Sequence, residues 1–189
     1  DVPSAASLVD AVLPGAFCRP FWTKALLHPS MLVRLTAANA LNLILPLLKA
    51  ALTDRLASIA AREGQAALGA RLVTAELMRR LPDTQVVVRL RGVGGGGDTG
   101  AGKLSHLLES RMLRALRLYA QILPATAPDA AAHAERLLKG GAEALTPLSR
   151  YHALMLIRER THAADAQHGQ PAAAALGATW SAAANTMTL

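Results

Sequence analysis

A proline turn followed by a long helical pattern constrains the fold of this chain more than any other segment. Pro29 cannot continue a helix from the residues before it, and Ser30 directly after it is a residue type that caps helix N-termini. Small and apolar residues then recur at helical spacing, which predicts an amphipathic helix. Its inward face is expected to contain Val33, Ala37, Ala40, Leu41 and Ile44. Asn42 does not belong to that face.

The Val33-Arg34 pair suggests what kind of helix this is. HEAT-type repeat units often have Val-Arg early in their second helix, where the guanidinium can bond to carbonyls or acids of the neighbouring unit. The positions expected to serve the repeat are Pro29, Val33, Arg34, Ala37 and Leu41. An ordinary amphipathic helix after a proline turn would share this pattern, and the chain shows no strict repeat period. We interpret the fold as all-α, a HEAT/armadillo-like α-solenoid segment with divergent units.

Composition also favours helices. Hydrophobic residues make up 52% of the 189 residues but aromatic residues only 3%, so Ala and Leu dominate the apolar content. Strands draw on β-branched and aromatic side chains, whereas Ala and Leu favour helices. The sustained β-branched run Val86-Val87-Val88 could form a short strand or a helix end. The length fits one domain with its own core.

Helix-breaking residues divide the chain into predicted helices. These cover residues 4–13, 20–28, 30–63, 65–81, 103–123, 129–139 and 142–160. Pro46 lies inside the third helix and should kink or split it. Residues 92–102 are dominated by glycine and should form a flexible loop. Residues 161–189 offer few apolar anchors, so we expect a helical-repeat domain over 1–160 and a disordered or loosely packed tail over 161–189.

The charge balance is strongly basic, at +7, and the cations are mostly arginine. Arginine binds phosphate and stacks on RNA bases, although a GC-rich genome also raises its frequency. The arginines that flank the glycine-rich loop are Arg79, Arg80, Arg89, Arg91, Arg111, Arg114 and Arg117. They could form a nucleic-acid-binding surface, or they could simply be a solvated basic face.

The segment from Gly97 to Ser105 nearly matches a phosphate-binding P-loop. That motif requires Ser or Thr directly after its lysine, so that the hydroxyl reaches magnesium. Here Leu104 follows Lys103, and Ser105 comes one residue too late. A glycine-rich linker into a helix is the favoured interpretation, and a nucleotide-binding domain is a minor alternative.

Other side chains give no sign of chemistry. The six histidines lack metal-ligand spacing, and the acids are scattered between helices without a paired arrangement for acid and base catalysis. The single cysteine, Cys18, excludes an internal disulfide and favours an intracellular setting. The best apolar run, residues 41–52, is interrupted by Asn42, Pro46 and Lys49, so we predict no membrane span. The sequence predicts a protein that is not an enzyme, with no cofactor, metal or small-molecule substrate.

Three landmarks in order resemble a known family. They are residues 19–30 with the following Leu32-Val33-Arg34, then Leu81-Pro82-Asp83, then Arg-Leu-Tyr-Ala-Gln-Ile-Leu-Pro ending at Pro124. In order and spacing they resemble the N-terminal region of the nucleolar pre-ribosomal-associated protein 1 family. The likeness covers residues 15–124, and the glycine tract departs from it as an insertion.

The resemblance implies a function as well as a fold. The family is a large α-helical scaffold of the early large-subunit pre-ribosome in the nucleolus, and it works with other assembly factors on ribosomal RNA. It has no catalytic residues to transfer. We therefore expect a nuclear, nucleolar scaffold segment that binds assembly factors and pre-rRNA. The alternative is a HEAT-like protein-interaction module of another pathway, such as transport or chromosome organisation, without RNA binding.

Overall fold

The computed structural model describes residues 5–60, 66–91, 99–140 and 142–169. These residues are mostly helical and contain no strand, which confirms the all-α prediction. The α-helices are α1 (Ala5–Val12), α2 (Arg19–Leu26), α3 (Met31–Ala60), α4 (Ala66–Arg80), α5 (Thr84–Val88), α6 (Thr99–Ile122), α7 (Ala127–Lys139) and α8 (Pro147–Gly169). Short 3-10 turns lie at Arg89–Arg91, Pro124–Thr126 and Ala142–Ala144.

Three predicted boundaries differ from the structure by several residues. Helix α8 begins at Pro147 rather than at residue 142, because residues 142–144 form a 3-10 turn. Helix α6 begins at Thr99, so the last four residues of the predicted loop 92–102 are helical. Helix α8 continues to Gly169, so the first nine residues of the predicted tail 161–189 extend a helix. The rest of that loop, residues 92–98, and of that tail, residues 170–189, lie outside the described residues.

The valine run forms a helix rather than a strand. Residues Val86 to Val88 complete α5, and the carboxylate of Asp83 caps that helix by accepting a hydrogen bond from the backbone N–H of Gln85 at 3.2 Å. Val87 is buried. Local capping and burial of one valine therefore favour a helical turn despite the β-branched composition.

Pro46 does not split α3. The helix runs without interruption from Met31 to Ala60, with the proline inside it. Proline removes one backbone hydrogen bond from a helix interior, yet Leu45 and Leu48 on either side of it are buried in the core. Tertiary packing on both sides of Pro46 keeps the two halves in one helix.

Helices α3, α6 and α8 run parallel to one another. The side-chain amide of Asn42 donates to the Arg111 carbonyl oxygen at 2.9 Å, and Lys49 Nζ donates to Gln121 Oε1 at 3.0 Å. Residue numbers therefore rise in the same direction along α3 and α6. Arg117 contacts Tyr151 and Gln121 contacts Glu159, so residue numbers also rise in the same direction along α6 and α8. We call these three the inner helices, with α6 in the middle.

A second layer covers the inner helices. Helix α2 packs on α3, α5 packs on α6 and α7 packs on α8. Each inner helix is therefore covered by the α-helix directly before it in the chain. The covering helices also touch in order, α2 with α5 and α5 with α7. Helices α1 and α4 lie outside this arrangement and pack against each other and against α3.

The inward face of α3 differs from the predicted one. Val33 is 39% exposed, so its assignment to the core was wrong, whereas its neighbour Arg34 is only 2% exposed. Asn42 is also buried, and Ala40 and Ile44 are only partly buried. Because a helix advances by about 100° per residue, the true face is centred roughly one position later, on Arg34, Ala38, Leu41 and Leu45.

Helix α3 has one further property that sequence reading missed. By length and composition alone, Met31–Thr53 is apolar enough to cross a membrane, and 39% of its most apolar window is buried inside the protein. A core helix meets the same criterion. In this structure its buried face contacts α2 and α6, whereas Leu32, Leu43 and Leu47 on the same helix are exposed.

The buried face of α3 can be tested with two leucines two residues apart. Leu41→Ala removes a fully buried side chain and should cost about 2 to 5 kcal/mol of unfolding free energy. Leu43→Ala is the matched control, because Leu43 is 70% exposed and its loss should cost less than about 0.5 kcal/mol. Urea denaturation measures both, and equal losses would show that α3 presents a different face to the core.

Asn42 should also matter for stability. Its side-chain amide donates to the carbonyls of Ala38 at 2.8 Å and Arg111 at 2.9 Å, which joins α3 to α6. Asn42→Ala removes both hydrogen bonds and should cost about 1 to 3 kcal/mol. Asn39→Ala serves as the control one turn earlier. A neutral Asn42 variant in urea denaturation would mean that these hydrogen bonds contribute nothing to the helix contact.

Candidate interaction face

The seven arginines predicted to form a basic surface fall into three groups. Arg79 and Arg80 end α4, Arg89 and Arg91 lie in the 3-10 turn after α5, and the other three lie on α6. Arg89 is exposed, and the side chain of Arg91 lies outside the described residues. The two arginines of α4 contact side chains of α4 and α1, whereas Arg117 of α6 contacts side chains of α8. The groups therefore lie in different surroundings.

Carboxylates neutralise the group on α4. Glu76 accepts hydrogen bonds from Arg79, at 3.0 and 2.7 Å, and from Arg80 at 2.5 Å. These two guanidinium groups lower the pKa of Glu76 to about 2. Arg80 also pairs with Asp10 and donates to the Leu13 carbonyl at 3.2 Å. Arg80 therefore links α4 to α1, and its positive charge is paired with two carboxylates.

Arg117 on α6 is likewise occupied within the fold. Its Nε donates to Glu159 Oε1 at 3.0 Å, and its guanidinium lies 5.6 Å from the ring centroid of Tyr151. Gln121 donates to the same Glu159 oxygen at 2.5 Å and accepts from Lys49 at 3.0 Å. This chain of hydrogen bonds runs from α3 across α6 to α8, which indicates a structural role for Arg117.

Arg111 and Arg114 differ from Arg117 and from the two arginines of α4. Neither forms an ion pair with any of the described residues. Together with Asn39, Asn42 and Leu43 they line an open depression of about 220 Å³ between α3 and α6. Arg111 Nε and Asn42 Oδ1 are buried there and have no hydrogen-bond partner in the described part of the chain. The depression thus combines two cations with a donor and an acceptor still to be satisfied.

His152 on α8 is buried beside these cations. Burial, the largest cause, and the positive charges of Arg117, Arg114 and Arg111 together lower its pKa to about 4. The histidine is therefore neutral near physiological pH. The three arginines of α6 lie close enough to this side chain to add to the effect of burial.

Exposed apolar side chains lie on both sides of the arginines. Leu43 and Leu47, one turn apart on α3, are 70% and 60% exposed, and Tyr151 and Leu154 on α8 are about half exposed. Leu43 lines the same depression as Arg114, and Tyr151 contacts Arg117. We define the inner-helix face by its exposed or partly exposed residues Leu43, Leu47, Arg111, Arg114, Tyr151 and Leu154.

Sequence reasoning missed the polar members of this face. Asn42 carries a signal that could have been used, because asparagine in the middle of an apolar helix must find a partner if it is buried. His152 carries no comparable signal, since its neighbours are the arginines of another helix. The separation of Arg111 and Arg114 from Arg117 also depends on Glu159, which is distant in sequence.

The remaining sequence motifs do not assemble a site in the described part of the chain. From Thr99 onward the P-loop-like segment is the first turns of α6. No group of three or more metal-ligating side chains occurs among the residues that the structure describes. Comparison with models of protein families, with curated proteins and with solved structures finds no match. The face must therefore be interpreted from its own geometry.

Acid should destabilise the protein through His152. The unfolded histidine ionises near pH 6.5 and the folded one near pH 4, so between these values the unfolded state binds the proton and stability falls as pH decreases. At about 1.4 kcal/mol per pKa unit, the full effect should be about 3 kcal/mol, measured by urea denaturation at neutral pH and near pH 4.

Two variants make this test specific. His152→Gln should flatten the pH dependence within that window, and Arg114→Gln should raise the pKa of His152 followed by NMR, because one nearby positive charge is removed. A pH dependence that is unchanged in His152→Gln would assign the acid sensitivity to other groups.

Proposed function

We propose that this chain is a HEAT/armadillo-like scaffold segment that acts in nucleolar assembly of the large ribosomal subunit and binds assembly factors and pre-rRNA. The pairing of the helices supports the HEAT/armadillo-like part of this proposal. The pairs α2–α3, α5–α6 and α7–α8 stack in order, with parallel inner helices and a covering helix on each. Repeat proteins of this kind gain their stability from such contacts between adjacent units.

Arg34 adds support for the stacking of units. Its guanidinium is buried and reaches the Leu90 carbonyl at 3.5 Å, a long hydrogen bond. Leu90 lies in the turn between α5 and α6, so Arg34 of the first pair contacts the second pair. This is the contact that the Val-Arg pattern leads one to expect. Helices α1 and α4 have no equivalent in the later pairs and would be additions to the repeat.

The ribosomal half of the proposal comes from the resemblance of residues 15–124 to the nucleolar pre-ribosomal-associated protein 1 family. The net charge of +7 agrees with an RNA-bound scaffold, because phosphate attraction requires excess cations. A nuclear, nucleolar location follows from the same resemblance. The α4 group and Arg117 are paired with acids. Of the arginines first considered that have no such partner among the described residues, Arg111 and Arg114 fit a phosphate contact best, because they line one depression, whereas the exposed Arg89 does not line it.

A second candidate function is a protein-interaction module without RNA binding. The observation that favours it is the exposure of Leu43, Leu47 and Leu154 beside the arginines. A phosphate backbone offers little that would cover leucine side chains, whereas a protein partner would bury them. This candidate shares the scaffold architecture and differs only in the ligand.

RNA binding should depend on Arg111 and Arg114. Replacing both by Gln should weaken binding to ribosomal RNA fragments and reduce the salt slope by about 0.7 to 0.9 per lost phosphate contact. Arg117 stays unchanged because it holds Glu159. Arg79→Gln is the control, since its charge is already paired with Glu76. Filter binding at several salt concentrations measures the affinity and its salt slope. If the folded double variant binds RNA as well as the unchanged protein does, the proposal that this chain binds pre-rRNA through these arginines is wrong.

A further inference from the structure

We propose that the inner-helix face binds an acidic amphipathic helix of a protein partner. The inference deepens the scaffold function proposed above and rests on it, but not on RNA binding. The partner helix would place carboxylates against Arg111 and Arg114 and apolar side chains against Leu43 and Leu47. The argument has three steps, from charge, from apolar exposure and from spacing.

Charge complementarity selects an acidic ligand. Arg111 and Arg114 form no ion pair with any of the described residues, and they line the same depression between α3 and α6. A carboxylate in that depression would accept hydrogen bonds from their guanidinium groups. A side-chain carboxylate bound to guanidinium groups forms stronger hydrogen bonds than a neutral acceptor does.

Apolar exposure selects a protein rather than a polyphosphate. Leu43 lines the same depression as the arginines, and Leu47 lies one turn further along α3. On the other side of α6, Tyr151 and Leu154 extend the apolar surface on α8. Burial of such side chains by a partner contributes roughly 25 cal/mol per Å². Only a ligand with its own apolar side chains can cover them while reaching the arginines.

Spacing selects a helix. Leu43 and Leu47 are four residues apart, and Arg111 and Arg114 are three residues apart, on parallel helices. A helix laid in the groove between two parallel helices presents residues at the same intervals, about one turn or 5.4 Å. The partner should therefore carry two acids one turn apart and an adjacent stripe of apolar residues.

The chain's own segment after α8 does not fit this description. Residues 170–189 contain Leu and Trp but no Asp or Glu, so they offer no side-chain carboxylates. A second copy of the chain is disfavoured for a related reason, because two molecules of net charge +7 repel each other. An acidic helix from a different protein is the occupant that the face fits.

The test uses the full chain and a labelled Leu/Glu amphipathic peptide of about 18 residues, long enough to form a helix on binding. Fluorescence anisotropy should detect binding of this peptide and at least about tenfold weaker binding of its Glu→Gln analogue. The Arg111→Gln, Arg114→Gln double variant should lose about tenfold in affinity. Arg114→Gln alone repeats the measurement without disturbing the partly buried Arg111.

Leucine variants separate the helix from RNA. Leu43→Ser with Leu47→Ser should weaken the peptide about tenfold and leave RNA binding unchanged, because phosphate contacts do not need these leucines. Leu32→Ser is the matched control, since Leu32 is exposed on the same helix but three turns away. Circular dichroism confirms that each variant is folded.

Each outcome decides one of the two proposals. Peptide binding that depends on both the arginines and the leucines supports the acidic helix, even if RNA does not bind and the RNA half of the proposed function fails. Failure of the peptide to bind, or binding insensitive to Leu43 and Leu47, would overturn the inference. RNA binding that requires the arginines alone would then assign the depression to phosphate.

Discussion

Burial of α6 between α3 and α8 is the constraint on which the rest of the structure depends. Met112, Leu116 and Tyr119 are almost fully buried because the helix has neighbours on several sides. The Tyr119 hydroxyl donates to the Pro82 carbonyl at 2.9 Å, which ties the turn before α5 to the same helix. Among the described residues of α6, Arg111 and Arg114 are partly exposed and form no ion pair, whereas Arg117 is paired with Glu159.

Helix positions could be predicted from the sequence better than helix faces could. Proline, glycine and capping residues locate the ends of α2 and α4 to within two residues of the structure. The face of α3 was misjudged because hydrophobicity was taken as the sign of burial. Arg34 and Asn42 are buried since each finds backbone carbonyls, on Leu90 and on Ala38 and Arg111 respectively. Leu90 and Arg111 lie outside α3, so the periodicity of the α3 sequence does not reveal these contacts.

The candidate site could be predicted only as a set of residue types. The arginines of α6 were recognised from their spacing, but the acids that pair with Arg80 and Arg117 were not. Asp10 is 70 residues from Arg80, and Glu159 is 42 residues from Arg117. Contacts at such separation exist only after the helices have packed. The apolar part of the face was missed for the same reason, since exposed and buried leucines look alike in the sequence.

An excess of cations is consequently a weak guide to where a ligand binds. The chain has 20 basic and 13 acidic residues, which gives a single net value for the whole molecule. Folding distributes the acids unevenly. Glu76 serves two arginines of α4, and Glu159 serves Arg117 and Gln121. A paired charge has little field beyond its partner, whereas an arginine left without an acid keeps its attraction for an anion. This uneven pairing leaves Arg111 and Arg114 as arginines of α6 without an acid partner among the described residues.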